Sequence, residues 1–119
     1  MLLPGPDHPI TIVREPHMVR VVFNGAVIAE TSRALRLAEA SYRPVLYLPR
    51  EDARMEYFTQ TDHHTSCPYK GKASYFTLEV GGKRSENAVW SYETPFAAVA
   101  EIAGALAFYP QRVDFIEIE

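Results

Sequence analysis

Two dipeptides, Asn24-Gly25 and Gly81-Gly82, constrain the fold of this chain more than any other feature of its sequence. Both accept the positive φ angles of a two-residue type I′ turn, which joins neighbouring antiparallel strands. Hydrophobic residues alternate with other residues before each turn, as Val19, Val21 and Phe23 do before the first. We therefore predict two β-hairpins in a domain built mainly of antiparallel strands.

Other segments extend this pattern less uniformly. Residues 44–48 read as a buried strand, and residues 113–119 alternate as a closing strand. Residues 55–58 suggest a short strand, followed by a polar loop that begins near Asp62. The sequence does not decide between helix and strand for residues 32–40. Thr31 or Ser32 would cap a helix, whereas Leu35 and Leu37 alternate as in a strand.

One late α-helix is predicted over about residues 94–108. Thr94 is a favourable N-cap, and Pro95 suits the first helical position because its missing N–H costs nothing there. Phe96, Val99 and Ile102 then recur at the spacing of a buried helical stripe. The chain thus resembles a β domain with little helix.

The length of 119 residues predicts a single small domain. Three prolines and a glycine lie within the first ten residues, so residues 1–18 are expected to form an extended Pro-rich arm. Residues 19–119 are expected to form the β domain. A content of 47% hydrophobic residues is enough for one core.

Charge and composition exclude several classes of function. The net charge of -3 provides no general attraction for nucleic acid or anionic lipid, so neither partner is expected. A single cysteine supplies neither an internal disulfide nor a four-thiolate zinc site, and no cofactor is expected. The amino terminus lacks a secretory signal pattern and no apolar run approaches bilayer length, so we expect a soluble cytoplasmic protein.

Reactive side chains are densest between Asp62 and Tyr75. Cys67 is a candidate nucleophile, and His64 is close enough in sequence to lower the pKa of its thiol. The alternative is that Cys67 simply packs, because cysteine is among the most often buried residues. His64 and Cys67 also have a plausible ligand spacing, but no second ligand pair follows and no metal site is predicted.

A second set of candidates suits an anionic ligand. In Lys70-Gly71-Lys72 the glycine would let an anion approach the main chain beside a lysine. Arg50 would clamp the anion with Asp52 orienting it, although a surface turn explains both equally well. Tyr75 and Trp90 would cover the ligand, or belong to the core.

The chain resembles the bacterial family catalogued as domain of unknown function 427, sometimes labelled nucleotidyltransferase-like. The resemblance covers about residues 19–119. It is carried by five blocks, Val21 to Gly25, Tyr47 to Asp52, Thr65 to Tyr75, Ala88 to Tyr92 and Ala107 to Pro110.

The resemblance implies a tent of two antiparallel sheets, similar to Mss-four-like zinc proteins and to B-type methionine sulfoxide reductases. Their paired C-x-x-C motifs are missing here, so their zinc is not carried over. The leading hypothesis is a domain that binds a small anionic ligand in a cleft around Thr65 to Tyr75. The alternatives are a thiol-dependent enzyme that uses Cys67, and a structural or partner-binding protein without catalysis.

Overall fold

A computed structural model describes residues 1–119 and contains ten β-strands. The strands are β1 (Ile10–Arg14), β2 (Val19–Phe23), β3 (Ala26–Thr31), β4 (Leu35–Glu39), β5 (Val45–Tyr47), β6 (Phe58–Cys67), β7 (Gly71–Val80), β8 (Lys83–Ser91), β9 (Ala107–Phe108) and β10 (Phe115–Ile118). All pairings within sheets are antiparallel. The prediction of a mainly β domain is confirmed.

The strands form three sheets rather than the two that were expected. The central sheet has the order β6-β7-β8-β9, and two outer sheets have the orders β1-β4-β5 and β10-β2-β3. Neighbouring residues Tyr75 and Phe76 point to opposite faces of β7 and belong to two different buried clusters. Strand β7 is therefore buried on both faces, and each face packs against a different cluster of the core.

Both predicted hairpin turns are present. Asn24 and Gly25 join β2 to β3 with φ angles of 47° and 77°, and Gly81 and Gly82 join β7 to β8 with φ angles of 56° and 83°. These positive values at both central positions are those that a type I′ turn requires. The Asn24 side chain also donates a hydrogen bond to the carbonyl oxygen of Val80, at 2.9 Å, and so ties one hairpin to the other.

The predicted α-helix over residues 94–108 is wrong. Only Ala97–Ile102 is helical, as a short 3₁₀ segment that is interrupted by non-helical angles at Val99, and no side chain caps it. The flanking backbone is used elsewhere: the N–H of Phe96 donates to Lys70, that of Gly104 to Tyr92, and that of Leu106 to Leu48. Hydrogen bonding to residues distant in sequence therefore prevents a continuous i to i−4 ladder.

Three boundaries also differ from the sequence interpretation. The expected polar loop is the second half of β6, because His64 through Cys67 pair in register with β7. Residues 32–40, left open above, contain strand β4. The suggested strand at residues 55–58 is instead the 3₁₀ turn Met55–Tyr57, and β6 begins at Phe58.

The amino-terminal residues contact the domain at several places. Within the expected arm over residues 1–18, Ile10–Arg14 form strand β1 and pair with β4. Farther upstream, the N–H of Leu2 donates to the carbonyl oxygen of Pro68 at 2.7 Å. No helix in the structure is both long and apolar enough to span a bilayer.

Candidate functional site

A cavity of about 290 Å³ lies between the central sheet and the outer sheet β1-β4-β5. Five aromatic side chains line it, and we call it the aromatic cavity: Tyr47, Tyr75, Trp90, Tyr92 and Tyr109. Leu37, Glu39, Tyr42, Arg43, Val45 and Lys70 complete its wall. It adjoins the segment from Thr65 to Tyr75 in which the sequence predicted a cleft.

Strand register brings these aromatic residues together. Tyr75 on β7 pairs with Trp90 on β8, and Trp90 pairs in turn with Ala107 on β9. Tyr92 and Tyr109 follow two residues after Trp90 and Ala107, so they continue the same face. Tyr47 approaches from β5, with its ring edge-on to Trp90 at a centroid distance of 6.4 Å.

The hydroxyl groups of the cavity form a partial network. Trp90 Nε1 donates to the Tyr47 hydroxyl at 3.4 Å, and the Tyr75 hydroxyl contacts Thr65 Oγ1 at 2.9 Å and the Tyr109 hydroxyl at 3.4 Å. Every fully buried side-chain nitrogen or oxygen has a hydrogen-bond partner. The Tyr92 hydroxyl has none within the chain, so it is not fully buried, and the Tyr92 side chain lines the cavity.

The tyrosine hydroxyls stay protonated over a wide pH range. Burial raises the pKa of Tyr47 to about 12, and burial with the hydrogen bond to Tyr75 raises the pKa of Tyr109 to about 12. The pKa of Tyr92 is also raised, because its side chain is buried close to Tyr47 and Cys67. These groups are neutral hydrogen-bond donors at physiological pH.

One wall of the cavity carries a nearly buried ion pair between Glu39 and Lys70. Their side chains are 12% and 10% exposed, and Lys70 Nζ lies 6.0 Å from the centroid of the Tyr92 ring. The second carboxylate oxygen of Glu39 lies 2.7 Å from Nε2 of His8. Burial acts to raise the pKa of Glu39, but the hydrogen bonds with Lys70 and His8 outweigh it and hold this pKa below its ordinary value.

Arg43 provides an unpaired positive charge at the mouth. Its side chain is exposed and lines the cavity, and no carboxylate lies within ion-pair distance of it. Lys70 and Arg43 together outnumber the single carboxylate, Glu39, by one charge. The charged side chains that line the cavity therefore carry one net positive charge.

The structure brings some of the predicted ligand-binding residues together. Lys70, Tyr75 and Trp90 line the aromatic cavity. Gly71 directly follows Lys70 and has a φ angle of +111°, which residues other than glycine rarely adopt. Gly71 therefore sets the turn that places Lys70. Gly71 itself packs against the backbone of Pro95 and Phe96, outside the cavity.

Arg50 and Asp52 do not line this cavity, and their side chains form hydrogen bonds with other residues of the protein. Arg50 donates to the Gly104 carbonyl oxygen at 3.0 Å, to Ser91 Oγ at 3.1 Å and to Glu93 Oε1 at 2.6 Å. Asp52 accepts a hydrogen bond from Thr31 at 2.7 Å, which lowers the pKa of its carboxyl group. These two residues connect neighbouring segments of the fold and do not line the aromatic cavity with Lys70.

Replacing Arg50 by Met should therefore reduce stability. We expect the free energy of unfolding to fall by about 1–3 kcal/mol, because the fully buried Ser91 hydroxyl and the Gly104 carbonyl lose a charged donor. Urea denaturation measures the loss. Arg84→Met, at an exposed position without a hydrogen bond to its side chain, is the control and should change stability by less than about 0.5 kcal/mol. Equal stability of the two variants would contradict this role.

Cys67 and His64 do not form a pair. They stand three residues apart in the regular part of β6 and therefore point to opposite faces of the sheet. Cys67 is partly buried and packs against the aromatic cluster, whereas His64 Nδ1 lies 3.3 Å from the carbonyl oxygen of Ala73. A thiol enzyme built on Cys67 would need a base other than His64.

Several residues of the cavity were not singled out as site residues from the sequence. Tyr47 lies in an apolar strand and reads as core, and Tyr109 follows the segment that was assigned to a helix. Glu39 belongs to residues 32–40, for which the sequence did not decide between helix and strand. Arg43 precedes a proline in a connection between strands, where sequence alone gives no signal that distinguishes it from other exposed arginines.

Comparison with known protein families identifies the family of this chain. A family model with the description NTP_transf_9, Domain of unknown function (DUF427), matches residues 11–119. The match begins within β1, so it extends upstream of the blocks that carried the sequence resemblance and includes all three sheets. No protein with curated annotation matches the chain.

Proposed function

This chain belongs to the family described as domain of unknown function 427, and on that premise we propose that it binds a small planar anion in the aromatic cavity. The observation that carries the proposal is the combination of aromatic walls with unengaged polar groups. Tyr92 and Arg43 both line a cavity of about 290 Å³, and neither the Tyr92 hydroxyl nor the Arg43 guanidinium has a partner within the protein. Polar groups that converge in an apolar pocket are typical of small-ligand sites.

Planarity follows from the shape and chemistry of the walls. Trp90 contacts Tyr109 at a centroid distance of 4.5 Å and meets Tyr47 edge-on. These ring contacts fix the orientation of the aromatic side chains around the cavity. A flat, conjugated ligand gains offset or edge-to-face contacts with such rings beyond its area burial. Because the walls are packed already, little ordering of side chains opposes binding.

The charge of the ligand follows from the polar groups. The buried tyrosine hydroxyls are neutral and donate hydrogen bonds, which a carboxylate or another oxyanion accepts. Lys70 is held by Glu39, so the charge that is free to meet the ligand belongs to Arg43. An arginine also offers two parallel N–H groups to a carboxylate.

The position of Trp90 makes the proposal directly testable. It is the only tryptophan in the chain and lies in the cavity wall, so its fluorescence reports occupancy. We expect benzoate to change this fluorescence in a saturable way and benzamide, its uncharged analogue of nearly the same shape, to bind more weakly. Arg43→Gln should weaken benzoate about five-fold, as expected for one solvent-exposed ion pair.

Arg84→Gln is the matched control, since it removes an exposed arginine charge elsewhere on the surface. It should leave the benzoate titration unchanged. Equal weakening of benzoate binding in both variants would mean that the effect comes from the net charge of the protein and not from Arg43. Benzamide binding as tightly as benzoate would contradict the preference for an anion. Failure of both compounds to perturb Trp90 would count against ligand binding in the cavity.

A further inference from the structure

A second cavity of about 290 Å³ lies next to the aromatic cavity and has a different character. Its wall is mainly apolar and is formed by β2, β5, β8, β9, β10 and residues beside them. We call it the apolar chamber and define it by Val21, Leu46, Leu48, Phe108, Pro110 and Ile116. No charged side chain except Arg43 lines it.

The two cavities share a wall. Arg43, Val45 and Trp90 line both, and no other residue does. Trp90 is only partly exposed, with polar contacts on the side of Tyr47 and an apolar environment on the other. Arg43 therefore stands where a hydrophobic chamber meets a chamber lined with hydroxyl groups.

This adjacency determines which ligands can use both spaces. A hydrophobic chamber attracts the part of a ligand that water solvates poorly, while the hydroxyls and the free guanidinium attract its charged end. From this juxtaposition we infer that the ligand is an amphiphile, an aromatic carboxylate whose apolar tail passes Arg43 and occupies the apolar chamber. The inference rests on the proposed function, since the aromatic cavity holds the head of the same molecule.

A chain-length series tests the inference. Calorimetry would compare benzoate with its para-methyl, para-ethyl and para-butyl derivatives. Each methylene that leaves water should tighten binding by up to about four-fold, until the chamber of about 290 Å³ is filled. A series with no gain from benzoate to para-butylbenzoate would overturn the amphiphile and leave binding of the anionic head intact.

A matched pair of variants on β10 locates the tail. Ile116→Trp fills part of the apolar chamber, whereas Ile118→Trp places the same change at an exposed position on the same strand. We expect Ile116→Trp to abolish the gain from the butyl group and to retain benzoate affinity, with Ile118→Trp keeping both. If the gain survives in Ile116→Trp, the tail lies elsewhere and the inference is wrong.

Three further outcomes are distinct. If the wild-type protein binds none of these compounds, the proposed function is wrong, and the inference with it. If Ile116→Trp does not fold, as thermal melting would show, the chain-length series on the wild-type protein still decides. Tighter binding of butylbenzoate alone, abolished by saturating benzoate, would support one continuous site for head and tail.

Discussion

Replacing Glu39 by Gln is expected to lower the free energy of unfolding by about 3 kcal/mol at neutral pH. The variant keeps the shape of the side chain but removes the negative charge between Lys70 and His8. The Lys70 side chain is only 10% exposed, so its ammonium group would remain in a poorly solvated place without a counter-charge. Urea denaturation at neutral pH measures the loss.

The pH dependence gives this prediction a second readout. The pKa of Glu39 is lowered in the folded protein, so its contribution to stability is present above the ordinary glutamate pKa and is lost as the pH falls through the lowered value. The stability difference between wild type and Glu39→Gln should therefore shrink below about pH 4.3. A difference that stays constant into acid would contradict the assignment to charge.

Two comparisons control for unrelated effects of the substitution. Glu86→Gln removes an exposed carboxylate that forms no ion pair and should change stability by less than about 0.5 kcal/mol. Glu39→Gln combined with Lys70→Met removes both charges and should recover part of the loss, because no buried charge then lacks a partner. A double variant less stable than Glu39→Gln would point to packing instead.

Replacing Ile102 by Ala is expected to cost about 2–5 kcal/mol of stability. Ile102 is fully buried at the end of the 3₁₀ segment and packs in the cluster that contains Tyr47, Tyr75 and Tyr92. Truncation leaves a void that the surrounding strands fill only partly. Thermal or urea denaturation measures the effect.

The neighbouring residue provides the control. Glu101 belongs to the same 3₁₀ segment but is exposed, so Glu101→Ala should stay within about 0.5 kcal/mol of wild type. If both variants lost similar amounts, the stability would come from the helical segment itself. A large loss at Ile102 alone identifies burial against the aromatic cluster as the cause.

The strands of this fold were predictable where local chemistry determines them. Asn24-Gly25 and Gly81-Gly82 require positive φ angles, and the alternation around them assigns one face of each strand to a core. The segment over residues 94–108, where a helix was predicted, was not predictable in the same way. Its hydrophobic spacing is real, but Phe96, Gly104 and Leu106 bond to residues distant in sequence, and such long-range pairing leaves no local signal.

The candidate site was predictable to a similar extent. Lys70, Tyr75 and Trp90 were identified as ligand-binding residues, and they do share a cavity. Arg50 has the same side chain as Arg43, yet Arg50 donates to Ser91 and Gly104 while Arg43 is unpaired. Which arginine is free depends on the partners that the fold supplies, and those partners lie far away in the sequence.

The most direct test of the proposed binding site is the crystal structure of the protein soaked with para-bromobenzoate. Anomalous scattering from bromine locates the ligand without reliance on a mutant. We predict a bromine peak within the aromatic cavity or at its boundary with the apolar chamber beside Trp90, with the carboxylate near Arg43 and the Tyr92 hydroxyl. A bromine site only elsewhere on the surface, or none at a concentration that saturates the fluorescence change, would contradict the account.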